Sequence, residues 1–162
     1  MLNSIPFIKE LVGSLVKTHS TRDPFIIAEE NKINIVYLPS DFSFTKGSSI
    51  TKSNEAIIMI KKGLSTAEQK FVAAHELGHV FLHHGLNFYF ITEYTHFPIS
   101  KFEFEANIFA AELLISDDTL LSYKHDGYTF EQLSKILNVP PIAVKLKHAL
   151  VTGEPILKDY YF

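Results

Sequence analysis

Between Ser65 and Gly85 the sequence lays down the start, the faces and the stop of one helix, and that helix carries two histidines four residues apart. Ser65-Thr66-Ala67-Glu68 has capping-box spacing: the Ser oxygen can accept from the N–H of residue 68 while the Glu68 side chain returns a hydrogen bond to the cap. A helix is therefore expected from Thr66 to about His84, with Gly85 as its C-terminal stop. Within it lies His75-Glu76-Leu77-Gly78-His79. At about 100° per residue, His75 and His79 fall about 40° apart, so both imidazoles can converge on one metal ion. Glu76 stands about 100° from His75 and flanks that point instead of occupying it, where a general base belongs. Ala73, Leu77, Val80 and Phe81 fall roughly 160–240° round, which predicts a helix buried on one side and presenting its chemistry on the other.

Donor chemistry narrows what such a helix can hold. The chain of 162 residues has no Cys, which excludes disulfide scaffolds, iron–sulfur sites, Cys-ligated zinc and thiol catalysis together. Any transition metal must sit on His and carboxylates. With 46% apolar, 13% aromatic and 20% charged residues, a sizeable core is expected and wholesale disorder is not. A net charge of −3 does not describe a bulk nucleic-acid binder. There is no run of eighteen apolar residues, and Met1-Leu2-Asn3-Ser4-Ile5-Pro6 lacks the basic and apolar regions of a signal peptide, so no membrane association and a cytoplasmic location are the expectation.

Two histidines do not hold a catalytic zinc; three protein ligands and a water do. A third His six residues after His79 is closed as a solution, because position 85 is Gly. His83, near 80° on the same wheel, could approach the metal but reads more readily as a polar neighbour of the site or a surface residue at the helix end, and His84 faces away. A second helix from about Lys101 to Ile115 offers Glu103, Glu105 and Glu112. With Glu103 at 0°, Asn107 falls near 40°, Ala106 near 300° and Ala110 near 340°, whereas Glu105 and Glu112 lie about 180–200° away. Glu103 thus shares its face with two alanines small enough for another helix to approach, and with an amide able to orient a ligand. Glu105 and Glu112 are expected to be solvated.

The remaining elements read as follows. Apolar positions from about 3 to 18 predict an amphipathic helix, and Asp23-Pro24 starts a short one to about Asn31. Ile33–Leu38 and Ala56–Lys61 read as strands around a Ser/Thr/Lys/Gly-rich hairpin or loop at 42–54. The aromatic, aperiodic stretch 85–98 is expected to be a mobile flap. Two short helices, about Thr129–Leu137 and Pro141–Leu150, resemble a helix-turn-helix. With one Arg in the chain, at position 22, and no dense basic patch, this pair is expected to pack on the core or dock a protein and not to bind DNA specifically.

His75-Glu-Leu-Gly-His79 with His83, followed by Glu103-Phe-Glu-Ala-Asn107-Ile-Phe-Ala-Ala-Glu-Leu-Leu114, closely resembles the ImmA/IrrE family of zinc metallopeptidases. The resemblance covers most of the chain. It departs at Leu113-Leu114-Ile115-Ser116, where the family often reads Leu-Leu-Met-Pro, and at Val72-Ala73, where a polar residue is commoner. It implies an α+β, gluzincin-like metallopeptidase with a short mixed or antiparallel sheet, the metal helix, a second Glu-bearing helix and the C-terminal helix pair. One Zn2+ per chain would sit on His75, His79 and Glu103, with Glu76 as catalytic base and Asn107 and His83 around the ligands. A single domain over 1–162 is expected, with a metallopeptidase core at 1–116 and a helical subdomain at 117–162. Family members typically act as anti-repressors that cleave a helix-turn-helix repressor controlling a prophage, mobile element or stress response, which implies a protein substrate of that kind. The alternative is a non-catalytic anti-repressor that sequesters the repressor by binding. For the donor that would steady the oxyanion, Tyr94, His96, Tyr123 and His125 qualify by residue type alone.

Overall fold

Strand β3 (Glu55–Lys61) organises the sheet, because its Ala56, Ile58 and Ile60 all point inward and are buried while Glu55 and Ile57 face out. In the computed structural model, which describes residues 4–41, 45–52, 55–83, 99–123 and 125–156, β3 lies at the centre of a three-stranded sheet. On one side β1 (Asn34–Leu38) runs parallel to it, with Asn34 opposite Ile57 and Leu38 opposite Lys61. On the other, β2 (Gly47–Lys52) runs antiparallel, with Gly47 opposite Ile60 and Lys52 opposite Glu55. The sheet is therefore mixed, and the polar segment expected as a hairpin or loop supplies its second strand. Alternation explains why: Gly47, Ser49 and Thr51 turn partly inward and Ser48, Ile50 and Lys52 outward.

Seven helices surround this sheet among the described residues, giving an α+β fold. Helix α1 (Ile5–His19) buries Ile8 and Val12, and α2 (Pro24–Glu30) starts where Asp23 accepts from the Phe25 N–H and Pro24 needs no donor. Helix α3 (Thr66–Leu82) has the complete capping box between Ser65 and Glu68. It ends at Leu82 with His83 as its cap, and His84 and Gly85 lie outside the described residues. The second chemistry-bearing helix, α4 (Ile99–Leu114), is followed by α5 (Asp117–Ser122), which the reading of the sequence did not contain. Ser116 caps α5 by accepting from the Thr119 N–H, so a serine at the family's customary proline position has a local job. The chain continues through α6 (Phe130–Leu137), itself opened by a Thr129/Gln132 capping box, and α7 (Pro141–Thr152).

One buried apolar cluster draws on the sheet and on all seven helices, α5 through Leu120, and runs from Ile8 to Leu146. The expected flap at 85–98 lies outside the described residues.

Helix α3 is not half-exposed as its projection suggested. Phe71 to Ala74 and Glu76 to Val80 are all buried, because the helix is held between β2 and β3 on one side and α4 on the other. The two flanks are close-packed by glycines. A Cβ on Gly78 would lie 3.0 Å from Ala106 Cα and 3.2 Å from Phe109 Cβ, so α3 and α4 meet at the backbone. A Cβ on Gly47 would overlap Val72 Cγ1 and come within 2.9 Å of Glu76 Oε1, so β2 crosses directly over the start of the His75–His79 segment.

Candidate metal centre

The close approach of α3 and α4 brings three donor side chains together. His75 Nε2 and His79 Nε2 are 3.1 Å apart; Glu103 Oε2 is 3.2 Å from the first and Glu103 Oε1 3.4 Å from the second. Among the described residues these three side chains form the cluster with metal-ligand geometry. A tetrahedral zinc with ligands at about 2.0–2.1 Å spaces them about 3.3–3.4 Å apart; the donor set fits that ion in type, and the His–His separation and each imidazole's contact with its nearer Glu103 oxygen are close to that spacing. The fit extends to the imidazole orientation. Asn107 Oδ1 lies 2.9 Å from His75 Nδ1 and can accept its proton, which leaves the Nε2 lone pair free. Asn107 is buried, and its Nδ2 has no hydrogen-bond partner among the described residues.

Electrostatics mark the same place. Burial works to raise the Glu103 carboxyl, but hydrogen bonds from His75 and His79 outweigh it and hold Glu103 well below the usual carboxylate range. Burial likewise works to lower His75, and Glu103, then the Glu76 charge, overcome it and raise the imidazole above its ordinary value. The site thus concentrates negative charge around two imidazoles, the balance a cation completes. Glu76 itself is buried beneath β2 and close enough for its charge to act on His75.

The structure separates the remaining candidates. His83 is buried behind His79 and not among the three converging donors, and burial lowers its pKa despite the Glu105 carboxylate beside it. Tyr123 packs against the core and stands edge-on to Tyr128, with ring centroids 6.0 Å apart, and His125 is exposed. Tyr94 and His96 lie outside the described residues.

Two expectations about α4 need correction. Glu105 and Glu112 are buried and not solvated, because each meets a polar group from another element that a single-helix projection cannot see. Glu105 Oε2 is 3.1 Å from His83 Nε2. Glu112 Oε1 is 2.8 Å from Lys147 Nζ, a fully buried ammonium that also pairs with Asp117. Lys147 is thereby an internal tie between α7 and α4. Arg22 is likewise engaged, its guanidinium donating to the Glu112 and Leu113 carbonyls at the C-terminal end of α4. Gly47, Gly78, Glu105 and Lys147 were all missed as contributors. For Gly78 its place within the motif was the available signal, whereas Gly47, 28 residues before His75, offered none.

A fold with two helices presenting His, His and Glu to one point, and a buried Glu beside them, defines a metallopeptidase of the gluzincin-like kind. The IrrE N-terminal-like domain family (Peptidase_M78) matches residues 28–148, and the chain belongs to that family of metallopeptidases. It is 35% identical over 140 residues to the uncharacterized immunity region protein 2 of Bacillus phage phi105, covering 86% of this chain and 88% of that one. It is 34% identical over 145 residues to the metallopeptidase ImmA of Bacillus subtilis (strain 168), covering 86% and 83%. No helix among the described residues is long and apolar enough to cross a membrane.

Proposed function

We propose that this metallopeptidase is a zinc endopeptidase in which His75, His79 and Glu103 hold the ion and Glu76 is the general base, and that its substrate is a helix-turn-helix repressor. The observation that carries the chemistry is the convergence of three donor side chains: the two imidazole Nε2 atoms lie 3.1 Å apart, and each lies 3.2–3.4 Å from its nearer Glu103 oxygen. When bound, zinc supplies Lewis acidity that polarises a peptide carbonyl and shifts the pKa of water towards neutrality. The chain's own residues do the rest. Glu76 takes a proton from the attacking water onto its carboxylate and passes it to the leaving amine nitrogen. Asn107 keeps the His75 ring turned so that Nε2 faces the ion.

The substrate has a natural track. Strand β2 is an edge of the sheet, bonded to β3 on one side, and it crosses α3 at Gly47 against Glu76. An extended peptide added along that edge runs beside the catalytic base, with main-chain hydrogen bonds fixing its register. The repressor as substrate is supported by the resemblance to anti-repressors and by a relative named for a phage immunity region.

The test is to incubate the purified chain with zinc and a helix-turn-helix repressor encoded beside it, then resolve the products by mass spectrometry. Discrete fragments that vanish with a chelator are expected. A repressor bound stoichiometrically but left intact would favour sequestration and overturn cleavage.

A further inference from the structure

Glu105 and His83 are buried polar residues that the proposed chemistry does not use. Both lie under 9% exposed, and they stand in line behind a proposed metal ligand. His79 Nδ1 is 3.1 Å from His83 Nδ1, and His83 Nε2 is 3.1 Å from Glu105 Oε2. We propose that Glu105 and His83 are positioning residues, acting as a carboxylate–imidazole relay that sets the tautomer and orientation of His79.

The proton count admits one arrangement. With His79 Nε2 presenting its lone pair to the metal point, the His79 proton must sit on Nδ1. That N–H can donate to His83 Nδ1 only if His83 carries its own proton on Nε2. The His83 Nε2–H then donates to Glu105 Oε2. Each link has one donor and one acceptor, and the chain ends on a carboxyl oxygen able to polarise it. Two neighbours hold the relay in place. Lys101 Nζ, 3.8 Å from Glu105 Oε1, offsets the buried carboxylate, and the Phe102 ring meets the His83 ring edge-on with centroids 4.9 Å apart. His75 is oriented separately, by Asn107, so the two histidines of one motif are held by chemically different partners.

This inference rests on the metal-centre reading, and the experiment separates the two. Full-length wild type, Glu105→Ala, Glu105→Gln and His83→Phe are titrated with zinc against a competing chelator, and metal-free thermal unfolding is recorded for each. Loss of a group that orients a metal-bound histidine weakens metal binding about 10–100-fold, the loss expected for Glu105→Ala and His83→Phe. Glu105→Gln, which keeps an accepting oxygen, is expected to recover most of it. Long-range 1H–15N spectra of zinc-loaded wild type should show His79 protonated at Nδ1 and His83 at Nε2. Wild-type zinc affinity in Glu105→Ala, or a His83 proton on Nδ1, overturns the relay while leaving the metal centre standing. A wild type that binds no zinc overturns the metal centre and the relay together. If the variants fail to fold, the wild-type spectrum decides alone.

Discussion

Gly78 of α3 lies so close to Ala106 of α4 that a Cβ on the glycine would stand 3.0 Å from the alanine Cα. This contact falls one residue before His79 and three after Glu103, so the separation of the two helices and the separation of the metal donors are one quantity. Gly78→Ala gains about 1 kcal/mol of helix propensity but forces apart two backbones, an overpacking cost of about 1–3 kcal/mol. The expected outcome is a net loss of stability with weaker zinc binding. Denaturant unfolding and zinc titration check it; a stabilised variant with undiminished affinity would show that α4 yields freely.

Glu76→Gln removes the proposed proton acceptor and leaves His75, His79 and Glu103 in place. Zinc content should stay near one per chain while repressor cleavage falls by about 100-fold or more, the usual contribution of a general base. Undiminished cleavage would sink the assignment.

Glu103→Ala should lose zinc and activity together, because two imidazoles do not hold the ion stably. Metal analysis of the dialysed variant reads this directly. Full zinc occupancy would move the third ligand elsewhere.

Lys147 is fully buried between Glu112 and Asp117, on α4 and α5. Removing the ammonium in Lys147→Ala strands the buried Glu112 charge, which costs about 3–5 kcal/mol. Replacing the buried pair in Lys147→Met with Glu112→Leu should return most of that. Equal stability of Lys147→Ala and wild type in urea would refute the tie.

The cap of α3 carries an acid-side pH dependence. The Lys46 ammonium, then the Ser65 hydroxyl and N–H, hold Glu68 down to about 2 from an ordinary 4.5. A depressed carboxylate contributes stability that is present above its unfolded value and lost as pH falls through its folded one. Stability from this group is therefore complete above about pH 5 and declines from there towards about pH 2. Glu68→Gln, unable to titrate, should flatten the acid limb of an unfolding-versus-pH curve, and identical limbs would contradict the assignment.

How far the sequence was legible depends on the range of the interaction. The His75/His79 pairing, the capping box at Ser65, the Asp23-Pro24 start and the choice of Glu103 over its neighbours all follow from contacts within one turn or one face of a helix. Those rules are local, and the structure agrees with them. Even the missed α5 had a local signal, Ser116 followed by Asp117-Asp118, which is a helix start. Strand β2 was harder, because its Ser/Thr/Gly composition reads as loop until β3 supplies a partner for its backbone.

What the sequence by itself determined is the inventory of the candidate site: which side chains can converge, which carboxylate flanks them as the proposed base, and which helices present them. Local spacing does this, since a helix converts a four-residue interval into a shared face whatever surrounds it. Only the tertiary structure decided the fate of Glu105 and Glu112. Projection places both on the face away from Glu103, and that face would be solvated on an isolated helix. In the folded chain His83 reaches one and Lys147 the other, and burial then turns two ordinary surface charges into a relay partner and a core ion pair. A side chain's environment belongs to whatever packs against it, and no period along one helix records what another element brings.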